Sequence, residues 1–312
     1  MIAEIVLLVI GIALLLFSSD KTVGLASDLA RDFGVSPFLV GILVLAAGTS
    51  IPEIANSVAA SYAGHGEMNV GNAFGSCLSQ ITLVLGMLAL MGGKKIVGGR
   101  KDILLLGGCA ILAGMLALAV AEKGSIDRMD ALLLIVAYFI LLFITQKYSV
   151  KEYSITHMPR LDMHVATQLG VLLIAVAGVL AGAWMIVNSA ISISESMGVD
   201  TYLISFFVVA LGTSLPELSV GLAAVRRGKF ELVIGNILGS NIADSTLSIA
   251  SGPLLFPNVF DAGTVTFGGE YMLLASFIVV GLFAWKMRIT KWMGLAFIGL
   301  YLLSFILVPG LI

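Results

Sequence analysis

GTSIPE at residues 48–53 returns as GTSLPE at 212–217, and GNAFGS at 71–76 returns as GNILGS at 235–240. Both pairs stand 164 residues apart, with no gap between them. From Gly48 to Leu83, 15 of 36 positions are identical to their partners. Gly, Asn, Ser, Pro and Glu are kept while Leu, Ile and Val drift, so the match is not a by-product of apolar composition. Self-similarity at a fixed offset marks an internal duplication.

The surroundings of these motifs are apolar. The 312 residues are 59% hydrophobic and 12% charged, against about 25% charged in a soluble domain, and the mean hydropathy is +1.08. These values exclude a soluble enzyme, a nucleic-acid-binding domain and a disordered regulator, and the net charge of −2 gives nucleic acid nothing to hold. A helix needs about 20 apolar residues to cross the hydrocarbon core. By that measure ten segments qualify: 2–18, 36–62, 68–91, 102–121, 129–146, 164–190, 201–225, 231–252, 270–286 and 291–308. The longest connection, 147–163, is too short to fold as a domain.

Lys and Arg assign the sides. Loops after odd-numbered spans hold 15 of the 17, and the opposite side holds only Lys123 and Arg128. Basic loops stay in the cytosol, which puts both termini outside. The clusters Lys94, Lys95, Arg100, Lys101 and Arg226, Arg227, Lys229 then read as topology determinants at the headgroups. The repeat unit is five spans, an odd number, so the second half enters the membrane from the opposite side. The expected fold is all-α, with ten transmembrane helices in two inverted five-helix repeats. They occupy residues 1–146 and 164–312, joined by a cytosolic linker at 147–163. Inverted repeats are the architecture of secondary transporters, with the binding site at mid-membrane between the halves.

Each motif sets a carboxylate inside an apolar span. Insertion scales charge roughly 2.5–3.5 kcal/mol for an ionised residue at a helix centre. Glu53, Glu217 and Asp244 would together cost on the order of 8–10 kcal/mol unpaired. No Lys or Arg lies at matching depth, so protonation or a cation from solution must offset them. Pro52 and Pro216 lack an N–H and clash with the carbonyl four residues back, which frees carbonyls around Ala46–Thr49 and Ala210–Thr213. Thr49 and Glu53 are spaced i, i+4, as are Thr213 and Glu217, Ser76 and Gln80, and Ser240 and Asp244, so each pair shares a helix face. Such a hard, all-oxygen set suits Ca²⁺ and alkali cations rather than zinc or copper.

Other features read as scaffold. Cys77 and Cys109 match no metal spacing and read as small packing residues. His65, His157 and His164 fall in or beside loops and form no metal site. The N-terminal apolar run has Glu4 where a signal peptide has basic residues, and reads as a retained first span.

The doubled GTSxPE with the doubled GNxxGS resembles the two α-repeats of the cation/calcium antiporter superfamily, most closely its sodium/calcium exchanger branch in the short prokaryotic form. The similarity is most specific over 46–83 and 210–247. It implies that Glu53 and Glu217 bind Ca²⁺ directly, joined by the carbonyls of Thr49 and Thr213. Ser50, Ser214, Ala46 and Ala210 would form flanking Na⁺ sites, and Ser76, Ser240 and Asp244 would complete the central site. It also implies that spans 1 and 6 slide across the rest during alternating access. The second repeat keeps the pattern GSNIAD, whereas the first reads GSCLSQ, with Cys77 and Gln80 where Asn is usual. The proton/calcium branch places an acidic residue after the GN pair, where this chain has Phe74 and Leu238.

The function expected is therefore exchange of Na⁺ for Ca²⁺ across the cytoplasmic membrane, with the two ions as substrates, no cofactor and no obligatory protein partner. Up to three negative charges at the site permit an electrogenic cycle. Coupling to H⁺ or another divalent cation is the alternative within the fold. A channel is the rival outside it, and an inverted repeat around one acidic pair is poor pore architecture. A hydrolase is disfavoured because neither GxSxG nor HExxH occurs.

Overall fold

The computed structural model describes residues 2–32, 45–92, 99–148, 163–195 and 204–308. The predicted linker falls mostly outside these, as does His157. The described chain is helical, apart from one pair of two-residue strands. Helix α1 (Ile2–Asp32) is followed by the short α2 (Ala47–Thr49), α3 (Ile51–Tyr62), α4 (Gly66–Ser79) and α5 (Leu85–Gly92). Then come α6 (Arg100–Ala121), β1 (Ser125–Ile126), α7 (Arg128–Tyr148) and α8 (Met163–Glu195). The second half continues with α9 (Ala210–Thr213), α10 (Leu215–Arg226), α11 (Phe230–Ala243), α12 (Ile249–Leu255), β2 (Asn258–Val259), α13 (Ala262–Lys286) and α14 (Lys291–Leu307).

Four stretches among the described residues are long and apolar enough to cross a membrane: Gly66–Gly92, Arg100–Ala121, Arg128–Tyr148 and Val265–Lys286. They match predicted spans, whereas the N-terminal helix runs 31 residues and outlasts its apolar segment. It does so because it packs along α8, itself 33 residues long. The long helices expected over 36–62 and 201–225 are interrupted at Ser50 and Ser214, each one residue before the Ile-Pro or Leu-Pro pair that opens the next helix.

Leu133, Phe139, Ile140 and Phe143 of α7 and Leu302 and Ile306 of α14 point outward, an apolar surface that suits lipid and would aggregate in water. The interior is largely apolar but also buries Ser, Thr, Asn, Gln and three carboxylates. At its centre lie α4 and α11, in which every residue from Asn69 to Thr82 and from Leu232 to Thr246 is buried.

Both central helices slip out of α geometry at equivalent places, into π turns at Gln80–Val84 and Asp244–Ser248. There Leu85 N–H reaches Gln80 O and Ile249 N–H reaches Asp244 O, five residues back. The sequence supplies a cause. The hydroxyls of Thr82 and Thr246, 164 residues apart, bond the carbonyls of Leu78 and Ile242 four residues back. A hydroxyl competing for that acceptor loosens the ladder, and single π turns cluster at functional sites.

The connections gather at two ends. β1 pairs antiparallel with β2, Ser125 opposite Val259 and Ile126 opposite Asn258, and Phe260 N–H bonds Gly124 O at 2.9 Å. Gly66, where the α3–α4 turn meets its helix, sits against Phe260 and Asn258 so closely that a Cβ would collide with them. Elsewhere, Arg227 at the end of α10 makes a bidentate bridge to Asp20 of α1, with Nε to Oδ1 at 2.9 Å and Nη2 to Oδ2 at 2.7 Å. Gly24, one turn along α1, leaves room for that guanidinium.

Candidate functional site

All twelve residues singled out by the motif reading are buried: Ala46, Thr49, Ser50, Glu53, Ser76, Gln80, Ala210, Thr213, Ser214, Glu217, Ser240 and Asp244. The helix breaks at Ser50 and Ser214 aim the two halves of the motif at each other. Ser50 N–H bonds Ala46 O at 3.0 Å, and the ladder resumes with Ile54 N–H to Ser50 O. Ser214 and Leu218 repeat this with Ala210 and Ser214. The carbonyls of Ala46 and Ala210 therefore already accept one backbone bond each. The loosening expected from Pro52 and Pro216 falls on the residues between.

The hydroxyls cross between repeats. Thr213 Oγ1 lies 3.2 Å from Ser76 Oγ and 3.4 Å from Asn72 Oδ1. Thr49 Oγ1 lies 3.4 Å from Ser240 Oγ and 3.5 Å from Asn236 Oδ1. Ser240 Oγ in turn donates to Glu217 Oε1 at 3.1 Å. Each threonine thus stands beside the glutamate of the other repeat, Thr213 by Glu53 and Thr49 by Glu217. Sequence spacing had grouped Thr49 with Glu53 on one helix face, but the break between them re-aims the hydroxyl across the repeat boundary.

The carboxylates differ in how they are held. Neither oxygen of Glu53 accepts a properly aligned hydrogen bond, nor does Glu217 Oε2. Glu53 lies within electrostatic range of both Glu217 and Asp244, and among the described residues no Lys or Arg acts on any of the three. Asp244 is engaged on both oxygens, by Ser248 Oγ at 3.3 Å and Gln80 Nε2 at 2.8 Å. Among the described residues, no three Asp, Glu, His or Cys side chains close round one point. Any ion here would need hydroxyls, amides or carbonyls in its shell.

The two repeats are not copies at every contact. Ser214 Oγ is 3.0 Å from Ser79 Oγ. The counterpart of Ser79 is Ala243, so Ser50 Oγ, which faces Asp244, is left without an aligned partner. Cys77 and Cys109 both lie in apolar core clusters, as expected, and Cys77 Sγ also stands 3.2 Å from Ser245 Oγ. The motif reading also left out Asn72, Asn236, Ser79, Asn241 and Ser248. Asn72 and Asn236 were open to discovery, being identical in both repeats. Ser79 and Ser248 vary between the repeats and gave no signal, whereas Asn241 stands in the GSNIAD pattern that the resemblance already marked. Of the motif glycines, Gly75 packs against the carbonyl of Phe206 and the methyl of Ala210, where any Cβ would collide.

A family profile described as sodium/calcium exchanger protein matches residues 3–146 and 167–308, nearly the whole chain. The chain belongs to the sodium/calcium exchanger family. Relatives of this exchanger-family chain include the uncharacterized membrane protein MJ0091 of Methanocaldococcus jannaschii. That protein is 34% identical over 95% of this chain and 94% of its own. The sodium/calcium exchanger MaX1 of Methanosarcina acetivorans is 28% identical over 95% of both. A solved structure of the sodium-calcium exchanger NCX_Mj, soaked with Na⁺ and Sr²⁺, matches this exchanger-family fold with a TM-score of 0.81. Its identity is 33%, covering 98% of each chain. The family is one of transporters, not enzymes.

Proposed function

We propose that this protein is an antiporter of the cytoplasmic membrane that exchanges Na⁺ for Ca²⁺ by alternating access. Ten spans in two inverted halves, 1–146 and 164–312 joined by 147–163, would place both termini outside. This topology is supported by which connections meet. The turns after α3, α6 and α12, all assigned outside by charge, come together round Phe260. Asp20 and Arg227, both assigned inside, form one ion pair.

The observation that carries the reading is the pair of buried glutamates with idle oxygens. A poorly bonded buried carboxylate is costly, and here three oxygens on two repeats lack a well-aligned protein donor, with Thr213 beside Glu53 and Thr49 beside Glu217. The Thr49, Thr213 and Ser240 hydroxyls stand 3.1–3.5 Å from the side chains of Asn236, Ser76, Asn72 and Glu217 and from one another, longer than the usual 2.7–2.8 Å for O–H···O, while Thr49 Oγ1 also bonds Leu45 O at 3.0 Å. Such a loosely joined oxygen set closes on a cation. Glu53 and Glu217 would hold Ca²⁺ with the Thr49 and Thr213 carbonyls. Ser50, Ser214, Ala46 and Ala210 would serve the Na⁺ positions, with Ser76, Ser240, Gln80 and Asp244 as the central wall.

The test is radioactive calcium uptake into Na⁺-loaded proteoliposomes, with and without an outward Na⁺ gradient, beside a proton-gradient control. Uptake that requires internal Na⁺ is the expected result. Uptake driven by protons alone would overturn the Na⁺ coupling and leave the antiporter.

A further inference from the structure

The turn between α13 and α14 reads WKMRITKW at 285–292. Lys286, Arg288 and Lys291 are all exposed there. Among the described residues none of the three reaches a carboxylate, whereas Lys123 and Arg227 are paired with Asp130 and Asp20. The last acidic residue of the sequence is Glu270, about 24 Å back along α13 from Lys286. Helix α14 opens with no acid in its first turn, where the positive end of a helix ordinarily favours one. Packing adds charge of the same sign. Gly114 meets Leu273 and Gly107 meets Val280, so α6 runs antiparallel to α13 and brings Arg100 and Lys101 level with Lys286. Segments 99–103 and 284–293 together hold five cations and one carboxylate, Asp102.

Apolar side chains flank this charge. Trp285 and Trp292 are 69% and 81% exposed, and Lys286 Nζ lies 4.1 Å from the centre of the Trp285 ring. Met287, exposed between them, takes φ 54°, a left-handed position at which helices usually end on Gly. Leu274 and Phe277 of α13 and Leu295 and Leu302 of α14 continue the outward apolar surface. We infer that this turn is a binding site for an anionic phospholipid. The basic side chains take the headgroup phosphate, Trp285 and Trp292 sit at the boundary between headgroups and acyl chains, and the chains lie against the outward face of α13 and α14. A soluble phosphate would use the cations alone and leave two indoles and a thioether in water. Which leaflet the lipid belongs to rests on the topology proposed above; the binding itself does not.

Quenching of tryptophan emission by brominated lipid tests this on the full-length protein in phosphatidylcholine vesicles. The chain has three tryptophans, so Trp184→Phe leaves Trp285 and Trp292 to report. Dibrominated phosphatidylglycerol should quench about tenfold more per molecule than dibrominated phosphatidylcholine. Arg288→Gln and Lys291→Gln should each cut that preference by about twofold to fivefold, the upper figure being the effect of one basic residue near an anionic surface. Each single variant keeps 16 of the 17 basic residues, which preserves the charge bias that directs insertion. The triple variant with Lys286→Gln should quench equally with both lipids. Replacing Lys21, Arg226 and Lys229 by Gln removes as much charge from other connections and should leave the preference intact. An equal loss in that control would mean diffuse surface charge and overturn the site. So would equal quenching by the two lipids in the protein with all its cations. Glycerophosphate in solution should not restore emission; full restoration would assign the turn to soluble phosphate and overturn the lipid. Transport is not measured, so failure of Na⁺-coupled calcium uptake leaves this result standing.

Discussion

Glu53 and Glu217 differ from every other acidic side chain described by being buried with idle oxygens. Glu53→Gln and Glu217→Gln keep shape and remove charge. Each should abolish calcium uptake in proteoliposomes while the protein stays monodisperse and melts no lower than the wild type; a cooperative melt several degrees higher would fit relief of buried charge. Retained uptake in either variant would count against the site. The serines test the broken symmetry. Ser214→Ala deletes the bond to Ser79 and should cost about 1 kcal/mol. Ser50→Ala deletes a hydroxyl with no aligned partner and should stay within about 0.5 kcal/mol, both read by thermal unfolding. At this scale the sequence was most legible where it repeated itself. Chemistry kept in both copies, such as the Thr, Ser and Glu of GTSxPE, was readable. Chemistry that exists because the copies diverged, Ser79 opposite Ala243 or Ser248 opposite Val84, was not.

The elements show what local sequence can and cannot announce. Pro52 and Pro216 marked the helix breaks because a missing N–H acts on its own turn. The π turns were hidden, since one Thr back-bonding four residues is ordinary in sequence and consequential only when the helix around it is fully packed. Another proline effect needed tertiary contact to be seen. Pro253 lies inside α12 and leaves the Ile249 carbonyl without its helical donor. Asn69 of α4 fills that vacancy, with Nδ2 to Ile249 O at 2.9 Å. Gly252 N–H bonds Ser57 Oγ of α3 at 3.0 Å. Asn69→Ala should cost about 1–3 kcal/mol by orphaning the carbonyl. Adding Pro253→Ala, which restores the helical donor, should recover most of that loss. A double-mutant cycle by thermal unfolding reads the coupling, and strict additivity would refute the link.

For the whole molecule, apolar length marked the four membrane-crossing stretches among the described residues, and the length of α1 escaped it because packing against α8 outlasts the apolar run. The Asp20–Arg227 bridge joins the first helix to the motif-bearing α10. The guanidinium holds the Asp20 carboxyl below its ordinary value. A depressed carboxyl stabilises the fold above its unfolded pKa of about 4 and loses that contribution as pH falls through the folded value. Both side chains are more than a third exposed, so the gain is at most about 1 kcal/mol. Asp20→Asn should melt slightly lower than the wild type at neutral pH, and the gap should close on acidification below about pH 4.

The residue paired with Arg227 across the duplication is Ala63, so this ion pair has no counterpart at the equivalent position and pins one rim. If α1 must travel along α10 for the pinned rim to open, that opening carries an electrostatic toll which the opposite rim escapes. Two halves built on the same motif would then give a rectifier, dwelling longer shut on one side of the bilayer. Added salt, which screens exposed pairs over about 10 Å at 0.1 M, should even out the two dwell times, and Asp20→Asn should do so at any ionic strength.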